Sequence, residues 1–243
     1  LGYFVDNELP WRKDALVRYL SLDKSDINFQ KTLEWTAEEK GLDVESINMD
    51  TLKAGLTDED QSKFLKHIAD KYFGIVSKLL KERDPNHLFL GSRLHGQAIR
   101  LKPVFEVLGD YADVISINYY HRWTPRISEL ENWRMWSGDK PFVISEWYVK
   151  GEDSGYTNTD GAGGVVKTQV DRGRFYQNFT LGLLESKSCI GWFWHTYRDT
   201  KDLPKGSNKG FLSVRYKPFE NLAEMAKAIN TQVYTLIAYF DAQ

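Results

Sequence analysis

Residues 1–11 read LGYFVDNELPW, and the DNE at positions 6–8 decides how the rest is read. Gly2 to Val5 has the make-up of a buried strand, since aromatic and β-branched side chains suit a pleated, covered surface. Asp6, Asn7 and Glu8 then arrive before any turn signal, and Pro10 follows at once. Period-two alternation puts Phe4, Asp6 and Glu8 on one face. Four later strands end in a similar way. HLFLG (87–91) runs into Ser92-Arg93, and VISINYY (114–120) carries Asn118 and Tyr120 and meets His121. FVISEW (142–147) ends on Glu146-Trp147, and IGWFWHTY (190–197) carries Trp194 and His195.

Helical patterns separate these strands. Pro10 is placed to open a helix to about Leu22, and a charged insertion around 23–58 holds another from Phe29 to Lys40. Thr57 opens the longest, ending at Arg83, with Phe64, Leu65, Ile68, Tyr72, Ile75, Val76 and Leu79 as its apolar face. Shorter helices are expected near Val104–Leu108 and Ser128–Met135, then one from about Lys167 to Ser186. Pro218 opens a closing helix toward Tyr239.

Strands alternating with helices imply a parallel α/β sheet, either doubly wound or a (β/α) barrel. An open doubly wound sheet binds at its switch point and has no need of five furnished strand ends. A TIM-type barrel builds its site from the C-terminal ends of several strands around one mouth. The expected class is therefore a (β/α)8 barrel. No repeat or linker divides residues 1–243, so one domain is expected.

The bulk numbers exclude several partners. Lys and Arg total 32 against 34 for Asp and Glu, which argues against nucleic acid and charged membrane surfaces. No run approaches a membrane span. The single Cys189 excludes an internal disulfide and reads as a small apolar residue. GAGGVVKT (161–168) nearly spells a phosphate-binding loop, but Val166 stands where the backbone must approach phosphate without a Cβ. It reads instead as part of a glycine-rich mobile loop beside Glu146. DSGYTNTDG (153–161) lacks the carboxylate spacing of a calcium loop, and the five His are scattered, so neither a metal nor a cofactor is expected.

Glu8 and Glu146 stand at comparable strand ends. Alternation puts Phe142, Ile144 and Glu146 on one face, and Trp147 beside Glu146 predicts a partly desolvated carboxyl, which raises a pKa. Two carboxylates in unlike surroundings are what glycoside hydrolysis uses, one to protonate the leaving oxygen and one to attack carbon or activate water. A carbohydrate-binding protein without catalysis would use the same Trp and Asn surfaces. A structural protein would use the aromatics as core alone, with strand-end polar groups pointing apart.

The order Asn7-Glu8, Tyr120, Glu146 and Trp194 on successive strands resembles the clan A retaining glycoside hydrolases. YFVDNE, ISEWYVKG and the run SGYTNTDGAGGVVKTQVDRGRFYQNFTLGLLESKSCIGWFWHTY resemble the β-agarases and β-porphyranases that cut red-algal galactans. The resemblance implies Glu8 as general acid/base, Glu146 as nucleophile, and Asn7 on the sugar hydroxyl beside the reacting carbon. It implies that Tyr120 holds Glu146, that Trp194 forms a floor, and that Arg93, His121, Trp147 and His195 line the rim. Asn118 joins them as a strand-end contact to substrate. It further implies that DNE ends strand four, so that residues 1–243 are strands four to eight and the C-terminal part of one catalytic barrel domain. Such a part needs the missing N-terminal half or a completing chain. Secretion, or a periplasmic or cell-surface location, follows from the same resemblance.

Overall fold

The computed structural model describes residues Leu1–Gln243. The strands that build the mouth are β1 (Gly2–Tyr3), β2 (Leu88–Phe89), β3 (Arg93–Leu94), β4 (Ile115–Asn118), β5 (Phe142–Trp147) and β8 (Cys189–Trp194). Two short strands, β6 (Val149–Gly151) and β7 (Gly164–Val166), pair with each other after β5. Helices α1 (Ala15–Tyr19), α2 (Ile27–Lys40), α3 (Met49–Ala54) and α4 (Asp58–Arg83) fill the first crossover. α5 (Lys102–Tyr111), α6 (Ile127–Trp136) and α7 (Gln169–Glu185) make the others, and α8 (Glu220–Asn230) and α9 (Val233–Asp241) follow β8.

Every strand pair is parallel, and the order across the sheet follows the order along the chain. β1 pairs with β2, and β3–β4–β5–β8 form one sheet. β2 and β3 are two pieces of one strand path, broken where Gly91 turns left-handed at φ 71°. An Asn7–Arg93 bridge joins the halves across this break. Sequential parallel order has no switch point, which separates it from a doubly wound sheet. The sheet does not close: β1 and β8 lie at opposite edges.

The two faces of the sheet differ. Thirty-five buried apolar residues form a core between sheet and helices, with Phe142, Ile144 and Trp147 of β5 among them. Trp133 is buried there with its indole N–H satisfied by the Ile99 carbonyl at 2.8 Å. The opposite face carries a small patch of Leu90, Val114 and Val143. Beside it, Phe4 (39% exposed) meets Phe193 (46% exposed) edge to face, so this side is open.

Helix ends follow the expected chemistry. Thr57 and Thr168 cap α4 and α7 through reciprocal capping boxes with Asp60 and Asp171. Three expectations change. Pro10 does not open α1, which is a single turn from Ala15. The closing helix is two, broken at Thr231 and Gln232. The buried stripe of α4 runs through Phe64, Leu65, Ala69 and Phe73, leaving Ile75 and Leu79 largely exposed. α4 packs against α1 and α5. Cys189 is free and partly buried at the core's edge.

Candidate active site

The strand ends gather six of the residues singled out in the sequence into one connected network. Arg93 Nη2 donates to Glu146 Oε1 at 2.5 Å and to the Ser145 carbonyl at 3.0 Å. The Tyr120 hydroxyl donates to the other Glu146 oxygen at 2.5 Å. Ser145 Oγ donates to Asn118 Oδ1 at 2.8 Å. Asn118 Nδ2 in turn donates to Glu8 Oε1 at 2.8 Å and to Asn7 Oδ1 at 3.1 Å. Asn7, Glu8, Arg93, Asn118, Tyr120 and Glu146 thus share one mouth.

Both carboxylates get there by breaking the strand alternation. Phe142 and Ile144 lie in the helix-side core and Val143 on the open face, so strict alternation would send Glu146 toward the helices. Register shifts between Ile117 and Asn118, and between Ile144 and Trp147, insert an extra residue instead. Such a bulge re-aims a side chain. Glu146 then pairs with Asn118, and Trp147 takes the helix-side position. Phe4, Asp6 and Glu8 do not share a face either. Asp6 and Glu8 are left-handed, at φ 60° and 56°. Each such residue without glycine's freedom costs roughly 1 kcal/mol or more. Phe4 faces Phe193, Asp6 meets Tyr72 of α4, and Glu8 turns into the mouth.

The surroundings of the two carboxylates are unlike. The Glu146 side chain is 12% exposed and held by a guanidinium and a phenol, whereas that of Glu8 is 35% exposed and held by a neutral amide. Burial, then the hydrogen bond to Glu146, pushes the Tyr120 phenol far above its ordinary pKa, so it stays a donor. Arg93 Nε is buried without a partner.

The other expected residues sit further out. Trp147 is fully buried and stacked on Phe179 with ring centroids 4.5 Å apart, so it offers no surface to a ligand. The expectation of a rim Trp beside Glu146 is corrected by the bulge. Asn118 is likewise fully buried and is spent on Asn7, Glu8 and Ser145 rather than on a substrate. Trp194 is half-buried, edge-on to Trp147 at 5.0 Å, and its N–H donates to the Lys209 carbonyl at 2.7 Å. His195 lies 5.7 Å from the Tyr148 ring, which in turn sits 5.3 Å from Tyr120. His121 is exposed on the rim in a left-handed turn at φ 60°.

Two residues at the mouth were not read from the sequence. Ser145 carries the link between β5 and Asn118. His95 donates from Nδ1 to the Asn118 carbonyl at 3.1 Å, 3.9 Å from Glu8 Oε1, and its ring meets Tyr120 edge to face. The signal for His95 lay in SRLHG: the strand resumes after Gly91, so its furnished end is His95 as well as Arg93.

The glycine-rich loop is fastened rather than loose. Lys150, almost fully buried, donates to the carbonyls of Asn158 and Asp160 at 3.1 Å and of Gly161 at 3.4 Å. Gly163 packs so closely on Tyr148 that a Cβ would come within 2.3 Å of its ring. No helix is long and apolar enough to cross a membrane.

No protein-family profile matches the chain. In sequence it is similar to β-agarase B of Vibrio sp. (strain JT0107), 28% identical over 97% of this chain and 27% of that protein. It is also similar to β-agarase A of the same organism, 29% identical over 68% of this chain and 17% of that protein. It therefore spans about a quarter or less of the length of these curated relatives. Among solved structures, BpGH50 matches with a TM-score of 0.87 at 38% identity, over 99% of this chain and 51% of that one. PfGH50B matches with a TM-score of 0.80 at 25% identity, over 97% and 38%. An exo-β-agarase shares the fold with a TM-score of 0.78 at 24% identity, over 97% and 35%. By sequence and by architecture, the chain is a relative of the β-agarases.

Proposed function

We propose that this chain carries the catalytic mouth of a retaining glycoside hydrolase that cuts β-galactosidic bonds in a red-algal galactan, agarose first and porphyran as the alternative. The carrying observation is the pair of carboxylates held in unlike surroundings by one network. Glu146 is the nucleophile: Arg93 keeps its charge compensated, and Tyr120 fixes its second oxygen. Glu8 is the general acid/base, accessible to solvent and held by a neutral donor. In the first step Glu146 attacks the anomeric carbon while Glu8 gives its proton to the departing glycosidic oxygen. In the second, Glu8 takes a proton from water, the water oxygen bonds the anomeric carbon, and the bond to Glu146 breaks. Asn7, exposed at the mouth, and Arg93, whose side chain is 23% exposed, supply contacts to sugar hydroxyls, with Trp194, His121 and His195 at the rim.

Open edges at β1 and β8 support a further part of this reading. Unpaired parallel edges invite pairing. Residues 1–243 form the C-terminal part of one (β/α)8 barrel domain, strands four to eight, closed by strands from elsewhere in the polypeptide or from another chain. A polysaccharide substrate places the protein outside the cytoplasm, secreted, periplasmic or at the cell surface.

The test is hydrolysis of agaro-oligosaccharides followed by NMR of the first-formed anomer. Retention of the β configuration is expected, and an initial α product contradicts double displacement. A non-catalytic carbohydrate binder gives no product while still binding the oligosaccharide.

A further inference from the structure

Two left-handed residues flank Asn7, and such a pair persists only where its surroundings over-determine it. The backbone is held on one side, by Val5 N–H to the Gly91 carbonyl and Glu8 N–H to the Arg93 carbonyl, both at 3.0 Å. Asn118 holds the side chains of Asn7 and Glu8. Neither contact fixes Asp6, the residue at which the chain first leaves the extended path. Its carboxylate accepts a hydrogen bond from the hydroxyl of Tyr72, on α4, sixty-six residues further along the chain. The Tyr72 ring is itself wedged edge-on against Trp11 at 5.9 Å and Phe73 at 5.0 Å, so the hydroxyl is a fixed post in the helix layer. Burial, reinforced by the bond to Asp6, keeps its proton on well above the ordinary tyrosine range.

We propose that Tyr72 is a positioning residue for Glu8: by drawing Asp6 out to the helix layer it rotates the next two residues, and so aims Glu8 at the leaving oxygen. Without that pull, an extended chain returns Asp6 and Glu8 to the open face beside Phe4. This rests on the reading of Glu8 as the general acid, and it assigns α4 a part in catalysis that none of its residues takes by contact with substrate.

The experiment compares Tyr72→Phe, Asp6→Ala and Glu8→Gln in the full chain on two substrates. An agaro-oligosaccharide has a leaving alcohol that needs protonation, whereas a dinitrophenyl β-galactoside departs unaided. For Tyr72→Phe, kcat/KM on the oligosaccharide should fall about tenfold or more, a part of what a general acid contributes, while the aryl substrate stays within about twofold. Asp6→Ala should match it, the double variant should be no worse than either, and Asp6→Asn, which still accepts the hydrogen bond, should recover most of the loss. Equal losses on both substrates, or additive losses in the double variant, overturn the proposal. A crystal structure of Tyr72→Phe gives a readout free of activity: Asp6 and Glu8 still left-handed, with Glu8 still bonded to Asn118, would also overturn it. If Glu8→Gln itself fails to separate the two substrates, the acid/base reading falls, and the crystal structure alone decides whether Tyr72 sets the turn.

Discussion

The end of β1 and the end of β5 solve one problem in opposite ways. Each must turn a glutamate out of the strand's alternation and into the mouth. At β5 an inserted residue does it inside a strand buried along its whole length, and Glu146 emerges between a guanidinium and a phenol. At β1 two left-handed residues do it in an exposed segment, and Glu8 emerges against a neutral amide. A buried bulge is locked by the packing around it, and its carboxylate has a fixed direction and a compensated charge. A surface turn needs side-chain tethers, and its carboxylate keeps access to water. The first suits a nucleophile and the second a proton carrier, since the roles of paired carboxylates are set by their environments.

The sharpest way to break this comparison is at the buried end. Glu146→Gln should lower turnover by about a thousandfold or more, with oligosaccharide affinity kept within a few-fold by calorimetry. Asn118→Ala removes the tie between the two ends. Turnover should fall about a hundredfold, and unfolding should weaken by roughly 1–3 kcal/mol as Ser145 loses its acceptor in the interior. Arg172 of α7 lies behind the mouth, fully buried, donating to the carbonyls of Val149 at 3.0 Å and Gly210 at 2.9 Å. Burial lowers its pKa to about 10. Arg172→Met should cost about 3 kcal/mol, read as a melting temperature lower by roughly 6–12 °C, because the buried Asp199 loses its neighbouring charge.

The smallest effect belongs to the loop over Tyr148. Hydrogen bonding with Ser207, then with Lys201 and Lys209, holds the Asp160 carboxyl at about 2, below its ordinary 3.8. A depressed folded value stabilises above the unfolded pKa and is lost as pH falls through the folded one. Asp160→Asn should therefore lower the melting temperature above pH 4, with the difference shrinking as pH falls toward 2 and vanishing only below it. The side chain is 41% exposed and screened, so the gap should stay within about 2 °C.

Much of this was legible in the sequence. Aromatic and β-branched runs marked the strand paths of the mouth, FVISEW to the residue, but not the short β6–β7 pair, and Thr57 marked the start of α4. The polar strand ends pointed to a shared mouth, and the longer runs carried the likeness to the agarases. Which way each side chain points was not legible. A one-residue slip moves every following side chain to the other face. The slips at Ile144 and at Asp6 are set by neighbours such as Asn118 and Tyr72, far away along the chain. That is why Trp147 reads as a rim residue and lies in the core. It is also why His95, beyond the break at Gly91, does not stand out in the sequence. The glycines at 161, 163 and 164 read as mobility, whereas Gly161 and Gly163 provide close packing on Tyr148, a contact that no local pattern announces.

With Glu146 as the nucleophile, the buried carboxylate is the one that bonds to sugar. Incubation with an activated 2-fluoro-β-galactoside, followed by peptide mass spectrometry, tests it directly. A single fluoroglycosyl adduct is expected on the peptide containing Glu146, released by agaro-oligosaccharide as acceptor. An adduct on Glu8 would contradict it, and so would steady turnover of the reagent with no adduct at all.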